Sequence, residues 1–449
     1  MELINKILSG GIVPIAVIGM ALYFLIILRG RPLSNPIKMM RALFSKKRTS
    51  GISPTKAVIL ALAGTLGVGN IVGVSSAIVL GGVGAVFWMW VSAFFAMILK
   101  YGEVVLSVRH RRSREDGFFG GAMYYMRDYF HSCHKNRIGS VFSLVFTLFC
   151  FVNGITMGCM IQANSISSAI SSSFGFDKVG IGLALMLVCV VVFFFNGKRI
   201  FSLCERAVPI VSGIYILMSL MVIVDGCERI PIILEEIITD AFSFASVGGG
   251  VFGFFASRAI RYGTIRGLFS NEAGCGTSPI AHATANTDSA CKQGILGIVE
   301  VFIDTIVVCT MTAFVILLGG DKSTDPMLCV LYSFEHVLGE GAGAWLGICV
   351  ALFGFATIVC WGYYGKECTY YLCKTPRAEK IYYLIYVCFV FVGSFVRMDL
   401  VWELADFAVG IMTVMNLYIL LMMSKEIKLE TTQYFNKKGL PKGSPKSIK

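Results

Sequence analysis

Charge is scarce in this chain. Asp, Glu, Lys and Arg make up 15% of its 449 residues, against about 25% in a soluble domain, which excludes an ordinary water-soluble fold. Histidine is scarcer: five imidazoles are scattered, with no nucleophile–base constellation at recognisable spacing, so an enzyme lacks its usual machinery. No Cys-x-x-Cys pair occurs among the fifteen cysteines. They lie mostly inside apolar runs and read as small hydrophobes, not as a disulfide or zinc framework. The one cluster of metal-ligand types, His131, Cys133 and His134, sits in a basic loop without a clear fourth ligand. No basic domain stands apart from the apolar runs, so the net charge of +12 describes no nucleic-acid binder.

What the chain does have is long apolar segments. Hydrophobic residues reach 56% and mean hydropathy is +0.75. Windows of about 20 apolar residues, the length that spans a bilayer, predict an all-α polytopic membrane protein with about 11 transmembrane helices. The spans fall near 11–28, 57–82, 85–107, 141–170, 179–196, 207–225, a complicated region 248–288, then 293–319, 343–372, 381–396 and 401–423. Lys and Arg gather after the first, third, fifth and ninth spans and in the tail 425–449, while the opposite loops carry few. That alternation puts the N-terminus outside and the C-terminus in the cytoplasm. The first run has no basic n-region or cleavage site, and seven Lys/Arg follow between Arg29 and Arg48. It reads as a retained helix, not a signal peptide.

Within the second span, residues 64–70 read Gly-Thr-Leu-Gly-Val-Gly-Asn. Each interior glycine costs a helix about 0.8–1 kcal/mol relative to alanine. Broken backbone is tolerated at membrane depth only where it lines a cavity buried in protein. The segment therefore predicts a discontinuous helix whose open backbone holds something polar; close packing through small residues is the alternative.

The spans also repeat. Adding about 205 to the second through sixth lands on the seventh through eleventh. Five is odd, so the two halves run in opposite directions, an inverted repeat of the kind secondary transporters use. The implied units are an extra N-terminal helix and basic loop (1–50), a first repeat (51–228), a second (229–423) and a basic tail (424–449). The offset predicts a second break near 270–276, Ser-Asn-Glu-Ala-Gly-Cys-Gly, followed by the helix-starting Thr277-Ser278-Pro279. Gly248-Gly249-Gly250 is the rival placement. Arg258, Arg261 and Arg266 then fall on the external half of that span.

Several stretches carry a resemblance: Gly64 to Gly73; Trp88-Met89-Trp90 and Lys100-Tyr-Gly-Glu103; Gly121 to Tyr125; Gln162 to Ser165; Arg266 to Gly274 with Ala281-His282-Ala283; Glu300 to Asp304; and Trp361 to Gly365 with Glu367. In these the chain resembles the alanine or glycine:cation symporter family, also called sodium:alanine symporters. Ala122 and Met415 stand where the family usually has Pro, Cys159 where it has Asn, and Cys275 lies within the second break. The resemblance implies the five-plus-five inverted-repeat fold of the bacterial leucine transporter with one extra N-terminal helix. It also implies residence in a bacterial plasma membrane, and co-transport of a small neutral amino acid (alanine or glycine) with sodium, without a cofactor; the alternatives are a proton- or other cation-coupled amino-acid carrier, or an amino-acid sensor or channel on the same fold.

A zwitterion needs donors for its carboxylate and acceptors for its ammonium, and broken helices supply both. The carboxylate is expected at the N–H groups of Val68, Gly69 and Asn70, beside Thr65, with Gln162 as side-chain partner. Gly67 and Gly69 allow close approach. Carbonyls around Phe269, Ser270 and Asn271 are expected to face the ammonium. By analogy with the fold, sodium takes the carbonyls of Ala63 and Leu66 and the hydroxyl of Thr357, while Trp361, one turn on, caps the side-chain end. Each has a plainer reading: Trp361 as packing, Thr357 as a hydroxyl bonding its own helix, Gln162 as an interhelical bridge. Asp304, about 18 Å into its span at 1.5 Å per residue, is a functional acid with an unnamed partner, or a structural one. Glu272 orients the second break or meets the ammonium. Glu103 is expected to pair locally with Lys100, and Trp402, Glu403 and Asp406 to gate near the outer face.

Overall fold

The computed structural model describes residues 5, 8–34, 52–115, 117–195, 200–243, 258–320 and 323–439. The triglycine at 248–250 and most of the basic loop after the first span lie outside them. Helices dominate. In chain order they are α1 (Val13–Leu28), α2 (Pro54–Thr65), α3 (Val72–Gly81), α4 (Ala85–Arg109), α5 (Ala122–Ser132), α6 (Asn136–Ile155), α7 (Ile161–Phe174), α8 (Lys178–Val190), α9 (Ile200–Asp225) and α10 (Ile230–Phe242). There follow α11 (Arg258–Asn271), α12 (Pro279–Ala283), α13 (Ala290–Val301), α14 (Thr310–Gly319), α15 (Pro326–Leu338), α16 (Gly341–Cys373), α17 (Pro376–Gly393), α18 (Asp399–Met422) and α19 (Ser424–Gly439). A short antiparallel hairpin, Arg112–Arg114 with Gly117–Phe119, follows α4.

Local sequence sets the helix starts. Ser53, Asp177, Ser289, Asp325 and Thr375 each cap a helix by accepting a backbone N–H. At α2, α15 and α17 a proline follows in the first turn, where its missing N–H costs nothing. Wide π turns fuse two pairs of helices: Thr156–Met160 joins α6 to α7, and Phe302–Cys309 joins α13 to α14.

Among the described residues, seven helices are long and apolar enough to cross a membrane, and the bent pair α2–α3 makes an eighth. The first, seventh and tenth expected spans correspond to the shorter α1, the interrupted α11–α12, and α17. Burial separates core from periphery. The apolar window of α4 is 83% buried, that of Lys178–Phe195 only 17%. The outer helix shows Leu187 and Phe195 to its surroundings, as a lipid-facing helix does.

The spacing of about 205 recurs in the helices themselves. Ala85 and Ala290 begin long helices, as do Asn136 and Gly341. Between them each half carries a shorter helix absent from the expected spans, α5 and α15. A 20-residue apolar window averages such amphipathic helices away.

Candidate functional site

α2 ends at Thr65, and the chain turns by 62° before α3. Gly67 is extended (φ −130, ψ −153), and Val68–Asn70 form one tight turn. Asn70 holds the turn from within, its Oδ1 accepting the Gly67 N–H at 3.1 Å. Gln162 holds it from α7: its Oε1 accepts the Val68 N–H at 3.1 Å, and its Nε2 donates to the Met157 carbonyl in the π turn. Gln162 thus bridges two elements and uses a donor that was expected to meet a substrate carboxylate. The Asn70 N–H likewise bonds the Gly67 carbonyl at 3.3 Å. On the other side, Thr357 of α16 donates to the Ala63 carbonyl at 3.0 Å and to its own Phe353 carbonyl at 3.1 Å. A Cβ on Gly67 would stand 2.5 Å from Thr357 Oγ1 and 3.0 Å from Gln162 Oε1, so the glycine is required by crowding at that point.

Three buried polar atoms around this break have no hydrogen bond: Thr65 Oγ1, Trp361 Nε1 and Tyr364 Oη. Tyr364 Oη lies 3.1 Å from where a Gly64 Cβ would be, and its ring meets Trp361 edge-on at 5.3 Å. Each such atom costs about 1–3 kcal/mol while unpaired, a cost that a polar ligand would remove. Trp361 is fully buried and lies flush on Gly158 of the π turn, where a Cβ would fall 2.2 Å from its ring.

The second break follows α11. Glu272, Gly274 and Gly276 have φ of 52°, 85° and 80°, and Pro279 opens α12. The side chains of Asn70, Ser270 and Asp304 meet here. Asn70 Nδ2 donates to Asp304 Oδ1 at 2.8 Å and to Ser270 Oγ at 2.9 Å, and Ser270 Oγ donates to Asp304 Oδ2 at 2.8 Å. The two breaks are thus tied together through one acid. Gly69 packs on Phe269, whose ring lies 5.0 Å from Trp402. Arg266 stacks over Trp402 at 4.5 Å and pairs with Asp406 at 3.3 Å, so it is no loose external charge. Asn5 binds the Glu403 carbonyl.

One expectation is corrected. Lys100 does not pair with Glu103. Its Nζ reaches Glu300 Oε1 at 3.3 Å and the Asn271 carbonyl at 2.7 Å. Glu103 instead accepts the Gly276 N–H at 2.9 Å and the Asn416 amide at 2.5 Å. Residues three apart can meet on a helix, but in a fully buried site the bared backbone of the break competes for both charges. The same contact engages the Asn271 carbonyl, one of the acceptors expected to face a substrate ammonium. Glu272 orients the break, accepting from Thr277 at 2.6 Å.

Sequence reasoning assigned no role to Glu300 and His282. His282 Nε2 meets Glu300 at 2.6 Å, Ser278 donates to it at 2.9 Å, and Gln293 bonds the other imidazole nitrogen at 2.9 Å. The signal that flagged Asp304, an acid deep in an apolar span, applies equally to Glu300.

A bundle of apolar helices holding a polar site at two backbone breaks defines a membrane transport protein. The profile of the sodium:alanine symporter family matches residues 1–447, and the chain belongs to that family. It is 36% identical to the sodium/alanine symporter AgcS of Methanococcus maripaludis, over 85% of this chain and 84% of that one. To the uncharacterized transporter YflA of Bacillus subtilis it is 33% identical over 97% and 93%. To the amino-acid carrier protein AlsT of the same organism it is 32% identical over 91% and 86%. A manganese transporter of Eremococcus coleocola overlays with a TM-score of 0.41 at 13% identity, over 86% of this chain and 74% of its own, too loosely for an argument about fold. The chain is a multi-pass membrane protein of cation-coupled amino-acid transport, not an enzyme.

Proposed function

We propose that the chain is a sodium-coupled symporter that imports small neutral amino acids, alanine or glycine, by alternating access across a bacterial plasma membrane. Its N-terminus lies outside and its C-terminus in the cytoplasm, and its two five-helix halves are inverted repeats. The observation that carries this reading is the first break, held between Gln162 and Thr357 and ringed by the unbonded polar atoms of Thr65, Trp361 and Tyr364. Gly67 lets Gln162 and Thr357 close on the turn and Gly69 lets Phe269 pack there, and the buried Trp361 restricts the side chain of the ligand. Sodium sits at Ala63, Leu66 and Thr357, where the carbonyl and hydroxyl of the 3.0 Å Thr357–Ala63 contact are already adjacent. The family's description and the names of AgcS and AlsT point the same way.

Sodium bound at the break favours the ordered turn, the amino acid binds that state better, and the coupling is reciprocal. The test is uptake of labelled alanine and glycine into proteoliposomes under an imposed sodium gradient. Accumulation driven by sodium supports the reading. Uptake indifferent to sodium overturns the coupling, and binding without uptake would make the protein a sensor.

A further inference from the structure

We propose that the cavity between the hairpin, α5 and the end of α16 binds a phosphate ester, presented by the headgroup of an anionic membrane lipid. The inference goes beyond the transport reading and takes from it only the orientation that turns this face to the cytoplasm.

The cavity measures about 610 Å³, within the range of pockets that hold organic ligands. Arg112 of the hairpin, Arg127 and His131 of α5, and Lys374 after α16 line it, and Asp128 is the one acid among its lining residues. That acid is already engaged. Asp128 accepts from Arg112 Nη2 at 2.6 and 2.8 Å and meets His110 Nδ1 at 2.9 Å. Among the described residues, no hydrogen bond or ion pair engages the side chains of Arg127, His131 or Lys374. A guanidinium, an ammonium and an imidazole thus share one space without a counter-ion. A phosphate accepts from several donors at once and offers a guanidinium the bidentate geometry it binds best.

The surroundings favour a lipid as the source. α6 starts at Asn136, just beyond the end of α5, and α17 starts at Pro376, just beyond Lys374. Each leaves the rim of the cavity with apolar side chains exposed: Ile138, Val141 and Leu144 on α6, Ile381, Leu384 and Ile385 on α17. The cations therefore lie where lipid-facing helices reach the membrane surface, at the level of the headgroups. Tyr124, Tyr370 and Tyr371 complete the wall, and such rings favour that same level. Exposed Lys135, Arg137, Arg377 and Lys380 add positive charge around the rim. Basic pockets between membrane helices on the cytoplasmic side suit anionic headgroups for this reason. A bound phosphate ties α5 to the end of α16, the helix that carries Thr357 and Trp361.

The experiment titrates the purified full chain in detergent with short-chain phosphatidylglycerol and reads the thermal unfolding midpoint. Phosphatidylglycerol is expected to raise the midpoint, and short-chain phosphatidylcholine, whose headgroup has no net charge, to leave it unmoved. Half-saturating lipid should rise about 5-fold in Arg127→Gln or Lys374→Gln and about 30-fold in the double variant. It should hold steady in the control Arg29→Gln, Lys428→Gln, which removes the same charge from exposed positions that do not line the cavity. If the double variant fails to fold, either single variant decides. Glycerol phosphate, which lacks acyl chains, identifies the source. No effect at equal concentration assigns the site to lipid; an equal effect keeps the phosphate site and overturns the lipid. No shift with phosphatidylglycerol, an equal shift with phosphatidylcholine, or an equal loss in the control variant overturns the site. Binding in detergent depends neither on transport nor on orientation in the membrane, so a failure here leaves the symport reading standing, and the reverse holds.

Discussion

Asn70 and Asp304, 234 residues apart in sequence, share a 2.8 Å hydrogen bond at the point where both helix breaks converge. Asn70 also closes its own turn through Gly67. Replacing it with alanine leaves a buried N–H and a buried carboxylate short of partners, at roughly 1–3 kcal/mol each. Asn70→Ala is expected to lower kcat/KM for alanine uptake about 5- to 150-fold with normal membrane insertion. Undiminished uptake would remove Asn70 from the site.

Trp361 lies flush on Gly158, the contact that would hold its indole as the cap of the proposed substrate pocket. Gly158→Ala forces a methyl into the indole and should destabilise the protein by about 1–3 kcal/mol, seen as a lower thermal unfolding midpoint in detergent. Trp361→Leu removes the cap, and the alanine-to-valine preference should fall about tenfold or more in competition uptake. A preference that does not move would assign the ring to packing alone.

Lys100 and Glu300 form a fully buried pair. Glu300→Met leaves Lys100 buried without its counter-ion, a loss of about 3–5 kcal/mol. The double variant Lys100→Met, Glu300→Met should recover much of that stability, because a neutral pair of similar bulk carries no desolvation cost. Additive losses in thermal unfolding would refute the coupling.

At the end of α4, His110 is the pH-dependent element. Burial opposes its charge, but bonds to Asp128 at 2.9 Å and Glu426 at 3.1 Å outweigh burial and raise it to about 9. Glu426 is lowered by its bond to His110, and Asp128 is lowered because its bonds to His110 and Arg112 outweigh its own burial. Arg109 also faces Glu426 at 3.7 Å. A histidine raised on folding stabilises fully below its unfolded value near 6.5 and loses that contribution as pH climbs through about 9. The lowered acids contribute above their own unfolded values and lose that contribution only as pH falls below them. Unfolding midpoints should therefore decline from pH 6 to 9, and His110→Gln should flatten the decline.

The breaks were legible because glycine and asparagine inside an apolar run contradict helix propensity, and because the repeat offset carried one break onto the other. Thr277-Ser278-Pro279 sharpened the second through its proline, which opens α12, whereas the two hydroxyls donate to Glu272 and Glu300 and cap nothing. Partners were not legible. Lys100 was read against Glu103, three residues away, since sequence displays neighbours along a helix, whereas the folded break brings Glu300 and the Asn271 carbonyl to the same ammonium. Nor could hydropathy windows reveal α5 and α15, which are too short to fill a bilayer-length window, or the tail helix α19, which is too polar.

The π segment Phe302–Cys309 lies within a continuous span, Ala290–Gly319. A wide turn is geometrically an extra residue threaded into an α-helix, and at 3.6 residues per turn one residue is worth about 100° of rotation. It therefore works as a phase shifter. Upstream, Glu300 keeps its bearing on Lys100 and His282; downstream, Thr310 and Thr312 still meet Trp90 and Tyr215. Only the intervening stretch is re-aimed, and it carries Asp304 and Thr305. Deleting a single residue there would swing one end of the span out of register with its neighbours while changing no side chain that lines the site.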